Sequence, residues 1–120
     1  MWLRCWYVFK IYFMPKKFPK LIRDRIPEIL AAKGKAAKTR ILTDDEYLKF
    51  LLKKMVEESI ELSQSSGRDG MRDELADILE LIDAIVKFKG WKKRDIIAVQ
   101  KGKRKKNGGF EKKILLLKKS

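Results

Sequence analysis

Two long runs with helical periodicity, joined by a short polar break, constrain this chain more than anything else in it. In the first, Tyr47, Leu48, Leu51, Leu52, Met55, Val56, Ile60 and Leu62 form an apolar stripe. In the second, the stripe is Leu75, Ile78, Leu79, Ile82, Ile85 and Val86. The break between them is SSGRDG, a cluster of turn residues. Helices joined by so short a connection pack antiparallel, so the expected centre of the fold is a helical hairpin.

Thr43 is expected to cap the first long helix, with Glu46 three residues on completing a capping box, and the helix should end near Ser65. The second should run from about Asp69 to Lys89, with Gly90 as its stop. A shorter helix is expected over 20–33, KLIRDRIPEILAAK, with a turn or restart near Arg25–Ile26 because Pro27 is awkward in a helix interior, and a stop at Gly34. A fourth is expected over about 92–104. NGG at 107–109 is a turn, and the tail FEKKILLLKK could form a short strand pairing with TRIL at 39–42. The expected class is mainly α, an antiparallel bundle of about four helices with a minor two-stranded element.

A chain of 120 residues suits one small domain, assigned here to 14–120. Its modest core makes a homo-dimer or higher homo-oligomer an expected state. Residues 1–13, MWLRCWYVFKIYF, are aromatic and apolar but too short to span a membrane and lack a signal-peptide cleavage site. They are either a contacting arm or an extension upstream of a start at Met14, and the conventional polar opening MPKKFPK favours the latter. No membrane span is expected.

The chain holds 30 Lys and Arg against 16 Asp and Glu, a formal net charge of +14. This favours polyanionic partners, and it equally fits a Lys-rich solvated surface. The single cysteine, Cys5, permits no internal disulfide, and a cytoplasmic location is expected. With no histidine, catalysis must rest on carboxylates, lysines, hydroxyls or a metal held by oxygen.

Against that basic background, acids gather in EESIELSQSSGRDGMRDELADILE, residues 57–80. Side chains three apart share a helix face, so Glu58 pairs with Glu61 and Glu74 with Asp77. Across an antiparallel hairpin the two pairs face each other near the turn. Four converging carboxylates repel, and a hard divalent cation resolves the conflict. Mg²⁺, or Mn²⁺, is the expected ion. Either motif alone is an ordinary solvated face with Lys53, Lys54 and Arg72 at hand as partners. The two together on consecutive helices carry the metal reading.

E-x-x-E preceded by a further Glu and followed by E-x-x-D resembles the signature of the all-α nucleoside triphosphate pyrophosphohydrolases, the superfamily of MazG-like and phosphoribosyl-ATP pyrophosphohydrolase-like proteins. Here it stands as EESIE (57–61) and ELAD (74–77), and KLIRDRIPEIL, DDEYLKFLLKKMVEE and NGGFEKKILL extend the resemblance from about Lys20 to Leu117. The resemblance implies Mg²⁺-dependent cleavage of a nucleotide at its α–β anhydride, giving a monophosphate and pyrophosphate. It implies Glu58, Glu61, Glu74 and Asp77 as metal ligands and Glu57 as the group that orients or deprotonates water. Lys54, Arg23, Lys101 and Lys103 are the candidate phosphate-binding cations, each also open to ordinary ion pairing or solvation. Relatives often carry an acid and an Arg before GGF, where this chain has Lys106 and Asn107.

Hydrolysis of phosphoribosyl-ATP in histidine biosynthesis is the alternative substrate reading. From another class, KGKRKK at 101–106 could follow a nucleic-acid backbone in a non-catalytic module. No helix-turn-helix, zinc or stacking signature supports specific nucleic-acid recognition. Tyr47, Phe50 and Trp91 are candidates for a base pocket, though residues of this type more often fill cores.

Overall fold

The computed structural model describes residues 18–65 and 67–120. The arm over 1–13 and the start at Met14 lie outside the described residues. Four helices are present among them: α1 (Ile26–Ala32), α2 (Asp44–Gln64), α3 (Arg68–Phe88) and α4 (Lys93–Asn107). The mainly α expectation holds. The chain divides into two compact units, Met1–Ile85 and Val86–Ser120.

In the first unit, α1 starts later than its apolar pattern suggests. Residues 20–25 are not helical, and Pro27 stands in the first turn of a helix that begins at Ile26. A proline there lacks an N–H that has no intrahelical acceptor anyway, so its rigid φ helps instead of breaking the helix. The segment before it is left irregular, and Leu21 and Ile22 are half-buried on it. Gly34 ends α1 at φ 72°, with its N–H on the Ala31 carbonyl and the Lys35 N–H on that of Leu30. This is a Schellman stop, which needs the left-handed backbone that glycine adopts without strain.

The Thr43 cap forms as expected. Its hydroxyl accepts from the Glu46 N–H at 3.3 Å, and its own N–H donates to Glu46 Oε1 at 3.1 Å. Arg40 braces the same carboxylate at 2.6 Å. Hydrogen bonds and charge hold Glu46 down to about 2, with Arg40 the main cause. From this start α2 runs 21 residues and buries Leu51 and Glu58. Gly67, at φ 81°, turns the chain into α3.

The residues that meet fix the packing of the pair. Close to the turn, Glu58 and Glu61 of α2 meet Glu74 of α3, and farther from it Leu51 and Lys54 share a cavity with Asp77, Glu80, Leu81 and Ala84. Residues equally far from the turn thus face each other, so the helices are antiparallel. Leu51 and Leu81 are the fully buried apolar side chains of this unit among the described residues.

In the second unit, Gly90 ends α3 at φ 71° with the same Schellman pattern, its N–H on Lys87 and that of Trp91 on Val86. α4 reaches Asn107, beyond the expected end at 104, and stops at Gly108 with φ 84°. Arg104, Lys105 and Lys106 fill its last turn, where cations favour the helix dipole. Arg104 also pairs with Glu111 at 2.7 Å.

The expected two-stranded element is absent: the described residues include no strand. Lys113 takes φ 58°, which breaks the extended run at its start. Ile114, Leu115, Leu116 and Leu117 are all exposed, as is Ile41 of TRIL.

Candidate metal centre

The site lies on the first unit, at the turn end of the α2–α3 hairpin. Glu58 and Glu61 come from successive turns of α2, and Glu74 from the first half of α3. One carboxylate oxygen from each lies within 4.8 Å of the other two. Glu58 is 6 % exposed, Glu74 half-buried and Glu61 exposed, so the cluster opens from the helix interface towards solvent. Three of the four expected ligands are thus brought together by the i,i+3 spacing and the antiparallel packing.

The fourth is placed differently. Asp77 Oδ1 accepts from Arg23 Nη2 at 2.6 Å, an ion pair between the segment before α1 and α3. Asp77 still borders the cluster closely enough for its charge to act on Glu58. Lys54 reaches back to Glu58 Oε1 at 3.7 Å from one turn earlier on α2. Of the expected phosphate-binding cations, Arg23 and Lys54 therefore share one cavity and both hold carboxylates. Lys101 and Lys103 lie exposed on α4 in the second unit and are not among the residues lining that cavity. Glu57 is half-buried and lies outside both the cluster and the lining.

The carboxylates are electrostatically tense. Burial pushes Glu58 up to about 7, with further upward contributions from the neighbouring Glu74 carboxyl and from the Asp77 charge; Lys54 opposes them. Glu61 is raised as well, first by partial loss of solvent around its carboxyl and then by the Glu58 charge. Glu58 Oε2 and Glu74 Oε2 are buried with no hydrogen-bond donor. Buried acceptors normally have donors, and leaving one without costs about 1–3 kcal/mol. The donor set is all carboxylate oxygen with unused buried lone pairs, which fits a hard cation such as Mg²⁺ or Mn²⁺.

The cavity beside the cluster has a volume of about 400 Å³. Its lining is mixed: Leu21, Ile22, Ile26, Tyr47, Leu51 and Leu81 are its larger apolar side chains, and Arg23, Asp24, Lys54, Glu58, Asp77 and Glu80 its charged ones. Phe50 and Trp91 do not line it. Glu80 had no role in the expected site. Its signal was present in the sequence, since it follows Asp77 by three residues on the same face of α3.

No family model and no solved structure matches the chain. An uncharacterized protein of Mycolicibacterium smegmatis is 46 % identical to it over 50 residues, 42 % of this chain and 51 % of the relative. The chain thus spans about half the length of the curated relative it matches, and that likeness carries no activity with it. Among the described residues no helix is long and apolar enough to cross a membrane.

Proposed function

We propose that this protein is a divalent-metal-dependent nucleotide pyrophosphohydrolase, cleaving a nucleoside triphosphate or related nucleotide between its α and β phosphorus atoms. The observation that carries the reading is a buried glutamate, Glu58, with a donorless oxygen beside Glu61 and Glu74, at the edge of a cavity that also holds Arg23 and Lys54. A carboxylate buried in that way is costly unless it meets a proton or a cation.

In this reading Glu58, Glu61 and Glu74 would hold Mg²⁺, with Asp77 as a further ligand. The ion would supply polarisation of the phosphoryl oxygens and would offset the charge of the anhydride. The chain's own residues do the rest. Arg23 and Lys54 bind phosphate oxygens and fix the polyphosphate. The apolar lining residues take the nucleoside, consistent with a cavity of nucleotide size. The resemblance gives Glu57, next to Glu58 on α2, the role of orienting the attacking water and accepting its proton, although its side chain is outside both the cluster and the cavity lining. Water adds to one of the two phosphorus atoms, the bond from that phosphorus to the bridging α–β oxygen breaks, and the monophosphate and pyrophosphate separate.

The exposed halves of α2 and α3 support a second copy as partner. Leu52 and Val56 are 49 % and 43 % exposed, and Leu75 and Leu79 are 48 % and 54 % exposed, each pair one turn apart. A unit with so few buried apolar side chains gains from covering them. The low cysteine content fits a reducing cytoplasm, which belongs to the same proposal.

A hydrolysis panel tests the reading: nucleoside and deoxynucleoside triphosphates, modified triphosphates and phosphoribosyl-ATP, with Mg²⁺ and product phosphates resolved. Pyrophosphate as the released product supports it, and the preferred substrate decides between a general triphosphate and phosphoribosyl-ATP. Failure on every compound by folded, metal-supplied protein counts against it and favours simple polyanion binding by the exposed basic face of α4.

A further inference from the structure

Each cation in the cavity is held by a carboxylate of the expected metal-binding set. Arg23 Nη2 is 2.6 Å from Asp77 Oδ1, and Lys54 Nζ is 3.7 Å from Glu58 Oε1. All four residues line the same cavity. The resting site is therefore closed on itself: its anion-binding groups are occupied by its cation-binding groups. Neither class of ligand can engage fully while both pairs stand. Asp77, turned to Arg23, is also the one expected ligand that lies outside the three-glutamate cluster.

We propose that the site loads by exchanging these two ion pairs. Asp77 and Glu58 pass from Arg23 and Lys54 to a divalent cation, and the released guanidinium and ammonium pass to the phosphates of the substrate. Cation and polyphosphate then bind interdependently, because each liberates the groups the other needs. Arg23 is a positioning residue in the empty site and a phosphate ligand in the loaded one. Its planar fork suits both partners, since carboxylate and phosphate each accept two parallel N–H bonds. The pair is well exposed, at 56 % and 38 % for the two side chains, so breaking it costs the fold little. The inference rests on the metal-site reading above.

The test is a double-mutant cycle on Mn²⁺ binding, followed without nucleotide at pH 8 by the electron paramagnetic resonance of the free ion. The four proteins are wild type, Arg23→Gln, Asp77→Asn and the double variant, each first shown to keep its unfolding midpoint. Arg23→Gln should tighten Mn²⁺ about tenfold, the scale on which groups holding a metal ligand act. The gain should vanish when Asp77→Asn is also present. A gain of equal size in both backgrounds would reduce Arg23 to a distant positive charge and overturn the exchange, as would no gain. Pyrophosphate binding in EDTA gives the mirror image: Asp77→Asn should tighten it only while Arg23 is in place. Glu61→Gln separates the two levels of the argument. If it leaves Mn²⁺ binding intact, the metal centre itself is wrong and the exchange falls with it. If it abolishes binding but Arg23 and Asp77 show no coupling, only the exchange falls.

Discussion

A carboxylate buried between two helices can be relieved by a proton or by a cation, and Glu58 is set between these outcomes. Its carboxyl titrates near 7 because burial and neighbouring acids penalise the charged form more than Lys54 helps it. An acid raised above its unfolded value stabilises the fold below that unfolded value, near 4.5, and loses the contribution as pH rises through about 7. The metal-free protein should therefore melt higher at pH 5 than at pH 8, by calorimetry or circular dichroism. Metal uptake should run the other way, strengthening as pH rises through 7 and releasing a proton below it. At pH 8, Glu58→Gln should raise the metal-free unfolding midpoint by a few degrees, since a buried charge that Lys54 only partly offsets is removed, while weakening Mn²⁺ binding at least about tenfold. A variant that melts lower and still binds the ion would contradict this account. At this scale the sequence was informative about Glu58, Glu61 and Glu74, because helical spacing and a short antiparallel turn together place them. It placed Asp77 beside Glu74 as well, but was silent about the ion pair that holds Asp77 to Arg23, 54 residues away and brought near by tertiary packing.

The helices were legible where their ends carry chemistry. Thr43 with Glu46, and the glycines at 34 and 90, are local signals, and the structure uses each as a cap or stop. Thr43→Ala should lower stability by about 1 kcal/mol, read from chemical denaturation. Gly90→Ala should cost about 1–2 kcal/mol, because alanine resists the left-handed backbone that the Schellman stop requires. If Gly90→Ala were neutral, that stop would not be holding the end of α3. The sequence misled where apolar periodicity continued past a boundary. Leu21 and Ile22 continue the stripe of α1 but sit on irregular backbone, because Pro27 belongs in a first turn. In the tail, Ile114–Leu117 have strand character, yet a strand needs a partner edge and the described residues supply none.

Considered as a whole, the protein combines a small acidic centre with an excess of positive charge. On the proposed function, the +14 net charge would steer polyanionic substrate to the protein, and raising the salt concentration should then weaken substrate capture more than it slows the bound reaction. The half-exposed leucines of α2 and α3 predict a dimer or larger assembly by light scattering. Leu75→Glu combined with Leu79→Glu should shift it to monomer; a wild-type monomer would refute that part of the proposal. The class of fold could be read from the chain because two amphipathic runs and a turn leave few alternatives. The cavity could not, since its walls combine residues from 21 to 84 that meet only after folding.

One comparison addresses the central claim most directly: the phosphate product released from a nucleoside triphosphate by wild type and Glu61→Gln, each with Mg²⁺ and with EDTA. The account predicts pyrophosphate from wild type with Mg²⁺ alone, falling at least about a hundredfold in the variant. Equal release by the two proteins, or release that survives EDTA, would contradict it.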